Sequence, residues 1–216
     1  MKKIIAINAG PRKGWNTDQL VSSAVKGAQD QGCEVEYIDL YRLPKFTGCV
    51  SCFGCKREPG FGTCICKDGL YDVLVKVRNA DGLIIGSPNY LGDLSAGFRA
   101  FYERIIFQSL TYNKERPCCN EHRIPVLLIT TSNCSEDYYD MIGYTRMLEN
   151  YQSNFERFVG PTHVFICGDT LQVNDYSIYN WTIFDPQAKK EHRDQTFESY
   201  QQKAYKMGME ILTAAE

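Results

Sequence analysis

The sequence has no large excess of charge of either sign and few histidines. Its 216 residues contain 24 Lys and Arg against 26 Asp and Glu, which gives a formal net charge of −2. A domain that binds nucleic acid usually carries a basic excess, so this balance argues against a nucleic-acid partner. The three histidines, His122, His163 and His192, lack the spacing of metal ligands. Acid–base catalysis by histidine and a histidine metal site are therefore not expected.

Long hydrophobic runs are also missing. No apolar stretch approaches the about 20 residues that a helix needs to cross a bilayer, so no membrane partner is expected. The basic start of the chain is followed by an apolar run that ends at Asn8, which is too short for a secretion signal. We therefore expect a cytoplasmic protein. In that compartment its ten cysteines would serve metal or redox chemistry more readily than disulfides.

Short apolar runs and helix-spaced apolar residues alternate five times along the chain. The predicted strands are Ile4–Asn8, Val35–Leu40, Ala80–Ser87, Ile124–Thr131 and His163–Gly168. The predicted helices are Thr17–Gln31, Leu70–Asn79, Ser95–Gln108, Tyr138–Phe158 and Pro186–Ala215. This alternation predicts an α/β doubly wound parallel sheet. We predict one domain over 1–216, with a Cys-rich segment at 44–69 and a C-terminal extension over about 169–216.

The first predicted strand breaks into a loop rich in Gly, Pro and Asn. The loop is neither a Walker A sequence nor G-x-G-x-x-G, so it favours a mononucleotide over a dinucleotide. Free N–H groups in the first turn of the next helix favour a phosphate, although Asn16 or Thr17 could also cap that helix. The alternative is a plain strand-to-helix turn. The predicted cofactor-binding residues of this loop are Asn8, Gly10, Pro11, Arg12, Lys13, Trp15, Asn16 and Thr17.

A mononucleotide loop after the first strand favours the flavodoxin-like strand order 2-1-3-4-5, with the ligand beyond the carboxyl ends of the strands. The loops after strands one, three and four should then converge. In the second of these loops Tyr90 could stack on a flat ring, or it could be an ordinary surface tyrosine. In the third, the Ser132 hydroxyl could complete the site or cap the following helix. The predicted cofactor-binding residues of these two loops are Ser87, Pro88, Asn89, Tyr90, Leu91, Gly92, Thr131 and Ser132.

Five of the cysteines are concentrated within eighteen residues. Cys49, Cys52 and Cys55 form C-x2-C-x2-C, and Cys64 and Cys66 follow after a short gap. Three thiolates at this pitch, with a fourth nearby, are typical of a [4Fe–4S] site. Zinc is an alternative, although four-thiolate zinc sites usually pair two separated C-x2-C motifs. Buried, inert thiols are a third interpretation, and either Cys64 or Cys66 could supply the fourth ligand.

Three motifs of the chain resemble those of the flavodoxin-like NAD(P)H-dependent FMN reductases and iron–sulfur flavoproteins. The stretch from Asn8 to Thr17 resembles the family's Asn-Gly-Ser-Pro-Arg-Lys-x-x-Asn-Thr loop, with Gly10 in place of the Ser. The stretch 87–96 resembles its Ser-Pro-x-Tyr-x-x-x-x-Ser-Ala segment. The resemblance implies FMN, with the phosphate on the first loop and the isoalloxazine along the second. Lys-Asp-Gly-Leu at 67–70 matches the family's Lys-Asp-Asp-Met, which aligns Cys64 with the fourth cluster ligand.

This resemblance implies an FMN-dependent oxidoreductase that passes electrons from NAD(P)H or ferredoxin to a small acceptor. It also implies a homodimer or homotetramer, with Cys49, Cys52, Cys55 and Cys64 as ligands of a [4Fe–4S] cluster. No catalytic side chain is expected, because the flavin carries the chemistry in such proteins. Two alternatives remain. One is a cluster-free NAD(P)H-dependent reductase of FMN, quinones or nitro compounds, and the other is a non-enzymatic electron carrier whose loop is stapled by zinc or thiols.

Overall fold

The computed structural model describes residues 1–213, and five long parallel strands form its centre. The strands in chain order are β1 (Lys3–Asn8), β2 (Glu34–Asp39), β3 (Gly82–Tyr90), β4 (Asp93–Leu94), β5 (Val126–Thr131) and β6 (Thr162–Cys167). The long strands have the order β2-β1-β3-β5-β6, and the two-residue β4 pairs antiparallel with β3. The predicted flavodoxin-like order is therefore confirmed. The short strand β4, which forms a hairpin with the end of β3, was not predicted.

Helices cover both faces of the sheet. They are α1 (Asn16–Asp30), α2 (Tyr71–Arg78), α3 (Ala96–Ser109), α4 (Tyr144–Phe158) and α5 (Pro186–Glu210). The alternating side chains of β1 explain the two layers: Ile5 and Ile7 enter the core under α2, α3 and α4, whereas Ile4 and Ala6 enter the core under α1 and α5. A central parallel strand is apolar on both faces for this reason. Each helix within residues 1–213 is too short or too polar to span a membrane.

Some predicted boundaries were wrong. The helix predicted from Tyr138 begins only at Tyr144, because Gly143 adopts a φ of +80° and a 3-10 turn occupies Glu136–Tyr138. The predicted third strand continues beyond Ser87 into the hairpin. The last helix ends at Glu210, and residues 214–215 of its predicted range lie outside the described residues. The Cys-rich segment is irregular apart from a short 3-10 turn at Gly54–Lys56.

The packing of α1 against α5 depends on two glycines that allow the backbones to touch. A Cβ at Gly27 would lie 2.0 Å from the carbonyl oxygen of Tyr205, and one at Gly208 would lie 2.0 Å from that of Ala24. Gly208→Ala should therefore lower the free energy of unfolding by about 1–3 kcal/mol, as overpacking does, although Ala is the better helix former. Urea unfolding measures this loss. The exposed Ser199→Ala on α5 is the control, and equal stability of the two variants would contradict the prediction.

Candidate functional site

The loops that follow β1, β3 and β5 meet at one edge of the sheet, where they line a cleft of about 280 Å³. This is the edge formed by the carboxyl ends of the parallel strands, as the topology predicts. Most of the residues predicted to bind a cofactor are brought together here. They are Gly10, Pro11, Arg12, Trp15, Asn16, Thr17, Pro88, Asn89, Tyr90, Thr131 and Ser132.

Five of the predicted residues lie outside the cleft lining. Asn8 is fully buried beneath the first loop, where its Oδ1 accepts a 2.9 Å hydrogen bond from the Gly10 N–H. Ser87 is fully buried as well, and its Oγ accepts a 3.0 Å hydrogen bond from the Ser95 N–H. Both side chains therefore shape the loops from below. The other three are Lys13, which is exposed, and Leu91 and Gly92, which form the tip of the β3–β4 hairpin.

The amino terminus of α1 faces the cleft with unused N–H groups. Trp15 is the N-cap residue, and its side chain makes no capping hydrogen bond. Asn16 and Thr17 are the first two helical residues, so the prediction that one of them caps the helix was wrong. None of the side chains in residues 1–213 accepts a hydrogen bond from the N–H groups of Asn16, Thr17 or Asp18. Such N–H groups, together with the helix dipole, form a site for a phosphate.

The side chains of this first helical turn form hydrogen bonds with neighbouring segments of the chain. Asn16 Nδ2 donates to the carbonyl oxygen of Leu171 at 2.8 Å, and its Oδ1 accepts a hydrogen bond from Arg193 of α5. The hydroxyl oxygens of Thr17 and Thr131 lie 2.8 Å apart, which joins α1 to the end of β5. These contacts fix the position of the turn without using its backbone N–H groups.

Arg12 and Tyr90 give the cleft its charge and one of its flat walls. The Arg12 guanidinium lies 4.8 Å from the ring centroid of Trp15 and donates to the carbonyl oxygen of Gln172. Tyr90 is 44% exposed at the end of β3. Burial raises the pKa of its phenol, and the ring therefore stays neutral at physiological pH. The cleft thus combines a positive charge with an aromatic surface.

A wall of the cleft that the sequence did not predict comes from the segment after β6. This wall consists of Asn133, Thr170, Leu171, Gln172, Val173 and Trp181. One available signal was topological, because any loop that follows a parallel strand emerges at this edge. Both tryptophans of the chain, Trp15 and Trp181, line the cleft.

Several polar atoms in the cleft wall have no partner. Among the side chains of residues 1–213, Trp15 Nε1, Asn133 Oδ1 and Gln172 Oε1 are buried without a hydrogen bond. A buried polar group left unpaired costs about 1–3 kcal/mol. One unused donor and two unused acceptors are therefore available in this wall to a polar ligand.

The side chain of Ser132 has a structural role at the end of β5. Its hydroxyl donates to the carbonyl oxygen of Cys134 at 2.8 Å and lies 2.7 Å from the hydroxyl oxygen of Tyr139. Because α4 begins much later, at Tyr144, the alternative that Ser132 caps the following helix was wrong. Its carbonyl oxygen accepts from both the N–H and the hydroxyl of Thr170, at 2.8 and 2.9 Å. Ser132 therefore ties the third loop to the wall after β6.

The five cysteines of the Cys-rich segment line a second cavity, of about 20 Å³, beside the second half of α3. We call it the cysteine cavity; its lining is Gly48, Cys49, Val50, Cys52, Phe53, Cys55, Cys64, Ile65, Cys66, Arg104, Phe107 and Gln108. The cysteines are free. Within residues 1–213, no three His, Cys, Asp or Glu side chains are already grouped as metal ligands. The thiols share one cavity, but their sulfur atoms would have to converge to bind a metal.

Side chains of α3 hold the backbone of these cysteines. Glu103 Oε2 accepts from the Cys49 N–H at 3.1 Å, and Gln108 Oε1 accepts from the Cys64 N–H at 3.1 Å. The Cys66 Sγ lies 3.8 Å from Oδ2 of Asp68. Burial, and then this carboxylate, raise the pKa of the Cys66 thiol. Hydrogen bonds from the cysteine backbone to side chains of α3 therefore fix the position of the cavity wall.

Known proteins resemble this chain in sequence. The family model for NADPH-dependent FMN reductases matches residues 2–132. An iron–sulfur flavoprotein of Methanocaldococcus jannaschii is 36% identical over 102 residues, which cover 47% of this chain and 51% of that protein. One of Methanosarcina thermophila is 30% identical over 104 residues, which cover 48% and 52%. The aligned region thus spans about half the length of these curated relatives.

Solved structures share the fold over nearly the whole chain. An NAD(P)H:quinone oxidoreductase from Methanothermobacter marburgensis superposes with a TM-score of 0.70 at 13% identity, covering 97% of this chain and 96% of the other. An azoreductase from Bacillus anthracis gives a TM-score of 0.68 at 12% identity, covering 97% and 100%. At such low identity the likeness concerns the fold, whereas the match over residues 2–132 identifies the family. The chain belongs to the NADPH-dependent FMN reductase family.

Proposed function

We propose that this protein is an FMN-dependent oxidoreductase that takes electrons from NAD(P)H or ferredoxin and passes them to a small acceptor. The observation that carries the proposal is the cleft, in which a helix amino terminus with unused N–H groups meets Arg12 and three aromatic rings. That combination matches an anionic phosphate joined to a flat ring system. A cytoplasmic location and a single domain are part of the proposal.

In this proposal the chain's own residues bind, orient and enclose the cofactor. The N–H groups of Asn16, Thr17 and Asp18 and the Arg12 guanidinium hold the phosphate. Tyr90 on one wall and Trp181 on the other exclude water from the ring system. Bound FMN supplies the electron-transfer chemistry, so no acid or base of the chain is required.

We further propose that the cysteine cavity holds a [4Fe–4S] cluster, with Cys49, Cys52, Cys55 and Cys64 as ligands. Two observations support this: the four sulfur-bearing side chains line one cavity, and the relatives named above are iron–sulfur flavoproteins. A cluster supplies one-electron transfer beside the flavin. Because metal binding couples to local folding, the sulfurs would converge as the site is loaded.

A homodimer or homotetramer is also proposed. Its support is the exposure of two large apolar side chains: Leu91 is fully exposed at the tip of the hairpin that follows the cleft residue Tyr90, and Met141 is 76% exposed. A second copy of the chain would cover this surface. Light scattering on the FMN-loaded protein gives the oligomeric state, and a monomer would contradict this part of the proposal.

Tryptophan fluorescence tests the FMN site directly. Because Trp15 and Trp181 both line the cleft, FMN is expected to quench most of the intrinsic fluorescence of the apoprotein at a 1:1 ratio. Riboflavin, which lacks the phosphate, should bind at least about tenfold more weakly, the equivalent of one charge-assisted hydrogen bond. Equal affinities for the two flavins would contradict a phosphate site at α1.

Steady-state oxidation of NADH and NADPH separates an enzyme from an electron carrier. The FMN-loaded protein is expected to oxidise one of them with a quinone or a nitro compound as acceptor. A carrier would remain inert with either nucleotide until reduced ferredoxin is supplied. Iron and acid-labile sulfide, measured on protein purified without oxygen, decide whether the cluster is present.

A further inference from the structure

Arg104 is a buried cation at the centre of the contact between α3 and the Cys-rich segment, with only 2% of its surface exposed. Its Nη1 donates to both carboxylate oxygens of Asp68, at 2.6 and 2.8 Å, and to the carbonyl oxygen of Thr47 at 3.3 Å. Its Nη2 donates to the carbonyl oxygen of Cys66 at 2.9 Å. One side chain therefore joins the beginning of the segment to its end.

These contacts leave one nitrogen of the Arg104 guanidinium without a hydrogen bond. Its Nε is buried and has no hydrogen-bond partner within residues 1–213, and the side chain lines the cysteine cavity. A guanidinium presents its N–H donors in one rigid plane, so Nε cannot turn away while Nη1 and Nη2 keep their partners. Leaving this donor unpaired would cost free energy that an acceptor in the cavity would recover.

The surroundings of Arg104 direct its charge to the cavity. Asp68, its ion-pair partner, also accepts hydrogen bonds from the N–H groups of Thr47 at 3.2 Å and Leu70 at 3.1 Å. Asp68 therefore belongs to the contact that joins α3 to the Cys-rich segment. The N–H groups of Cys49 and Cys64 are occupied by Glu103 and Gln108. Arg104 thus provides both a positive charge and a spare donor beside five thiols.

Thiolates that bind a metal bring several negative charges into one small volume, and hydrogen bonds to their sulfurs stabilise them. We propose that Arg104 is a positioning residue for a thiolate-bound metal: beyond clamping the segment, it stabilises the bound state through Nε and its charge. This inference rests on the proposed metal site at the cysteine cavity, and it does not depend on FMN at the cleft.

Cobalt(II) titration of the full-length, FMN-loaded protein tests the inference. The thiols are kept reduced without oxygen, and binding is followed by the visible d–d absorption of tetrahedral thiolate-bound cobalt at wavelengths beyond the flavin bands. Arg104→Met should weaken Co²⁺ binding by about 10–100-fold, the usual cost of losing a residue that supports metal ligands. Arg104→Lys, which keeps the charge but not the planar fork, should fall between this variant and the wild type.

Asp68→Asn is the matched control, because it removes the ion pair but keeps an oxygen acceptor for the clamp. If Arg104 acts on the cavity, this variant keeps the wild-type affinity or exceeds it. If Arg104 is only a clamp, Asp68→Asn weakens Co²⁺ binding as much as Arg104→Met does, and that result would overturn the inference.

Three other results would overturn it: unchanged affinity in Arg104→Met, affinity in Arg104→Lys as low as in Arg104→Met, or no thiolate-bound cobalt in the wild type. Should Arg104→Met fail to fold, as judged by circular dichroism, the comparison of Arg104→Lys with Asp68→Asn decides. In that case the inference is overturned if Asp68→Asn binds Co²⁺ as weakly as Arg104→Lys or more weakly, and it is supported if Arg104→Lys is the weaker of the two. Flavin content is measured on every variant, so failure of the FMN site is detected separately.

Discussion

Arg12→Glu is expected to lower the affinity of the protein for FMN by about 100-fold or more. The substitution removes a charge-assisted hydrogen bond, worth about 1.5–3 kcal/mol, and places a carboxylate against the phosphate. Arg12 is exposed, so the fold should tolerate the change. Fluorescence titration of the apoprotein with FMN measures the loss.

Lys13→Glu is the matched control for this prediction. It makes the same change of charge at the adjacent exposed residue, which does not line the cleft. Its effect should be far smaller and should shrink with added salt, because charges that act across solvent are screened. Riboflavin affinity should respond much less than FMN affinity to either variant. Equal losses of FMN affinity in the two variants would show that Arg12 makes no direct hydrogen bond to the phosphate.

Cys64→Ser is expected to abolish most of the iron content of protein purified without oxygen, whereas Cys66→Ser should retain it. Both sulfurs line the cysteine cavity, but the Cys66 Sγ lies 3.8 Å from the Asp68 carboxylate. A thiolate at Cys66 would be repelled by that carboxylate, so Cys64 is the better fourth ligand. Iron and sulfide assays on the two variants measure the difference. Loss of iron from Cys66→Ser alone would reverse the assignment.

Neither cysteine variant should change the flavin content. The cysteine cavity adjoins Arg104, eight residues after the start of α3 at Ala96, whereas none of the residues that line the cleft belongs to that helix. At 1.5 Å per residue, Arg104 lies about 12 Å along the helix axis from Ala96. A parallel loss of FMN would indicate that the Cys-rich segment supports the whole fold.

The strand order and the cleft loops after β1, β3 and β5 were predictable because their signals are local, whereas the cleft wall after β6 was not predicted. The apolar run before the first loop and the Gly- and Pro-rich break after it have the same meaning wherever they occur. The N-cap was not predictable. Asn16 is a favoured cap residue, yet its side chain binds Leu171 and Arg193, which lie 155 and 177 residues further along the chain.

The β3–β4 hairpin could not be predicted from the sequence for a different reason. Its turn places Leu91 and Gly92 at φ values of +57° and +85°, a conformation that usually requires Asn-Gly or Asp-Gly. A leucine in this position gives no turn signal. Ser87 was predicted to bind the cofactor because it matches the first residue of the Ser-Pro-x-Tyr segment. Its hydroxyl oxygen accepts a hydrogen bond from the N–H of Ser95, the N-cap residue of α3.

The hydrogen bond between Arg193 and Asn16 has a consequence for biosynthesis. The first turn of α1, where we propose that the phosphate binds, is among the first segments to be translated, and the arginine that contacts it follows 177 residues later. At about 5–20 residues per second, this interval is about 9–35 seconds. A nascent chain on the ribosome would therefore present an unfinished flavin site during that time, and cofactor would be retained only after α5 has docked.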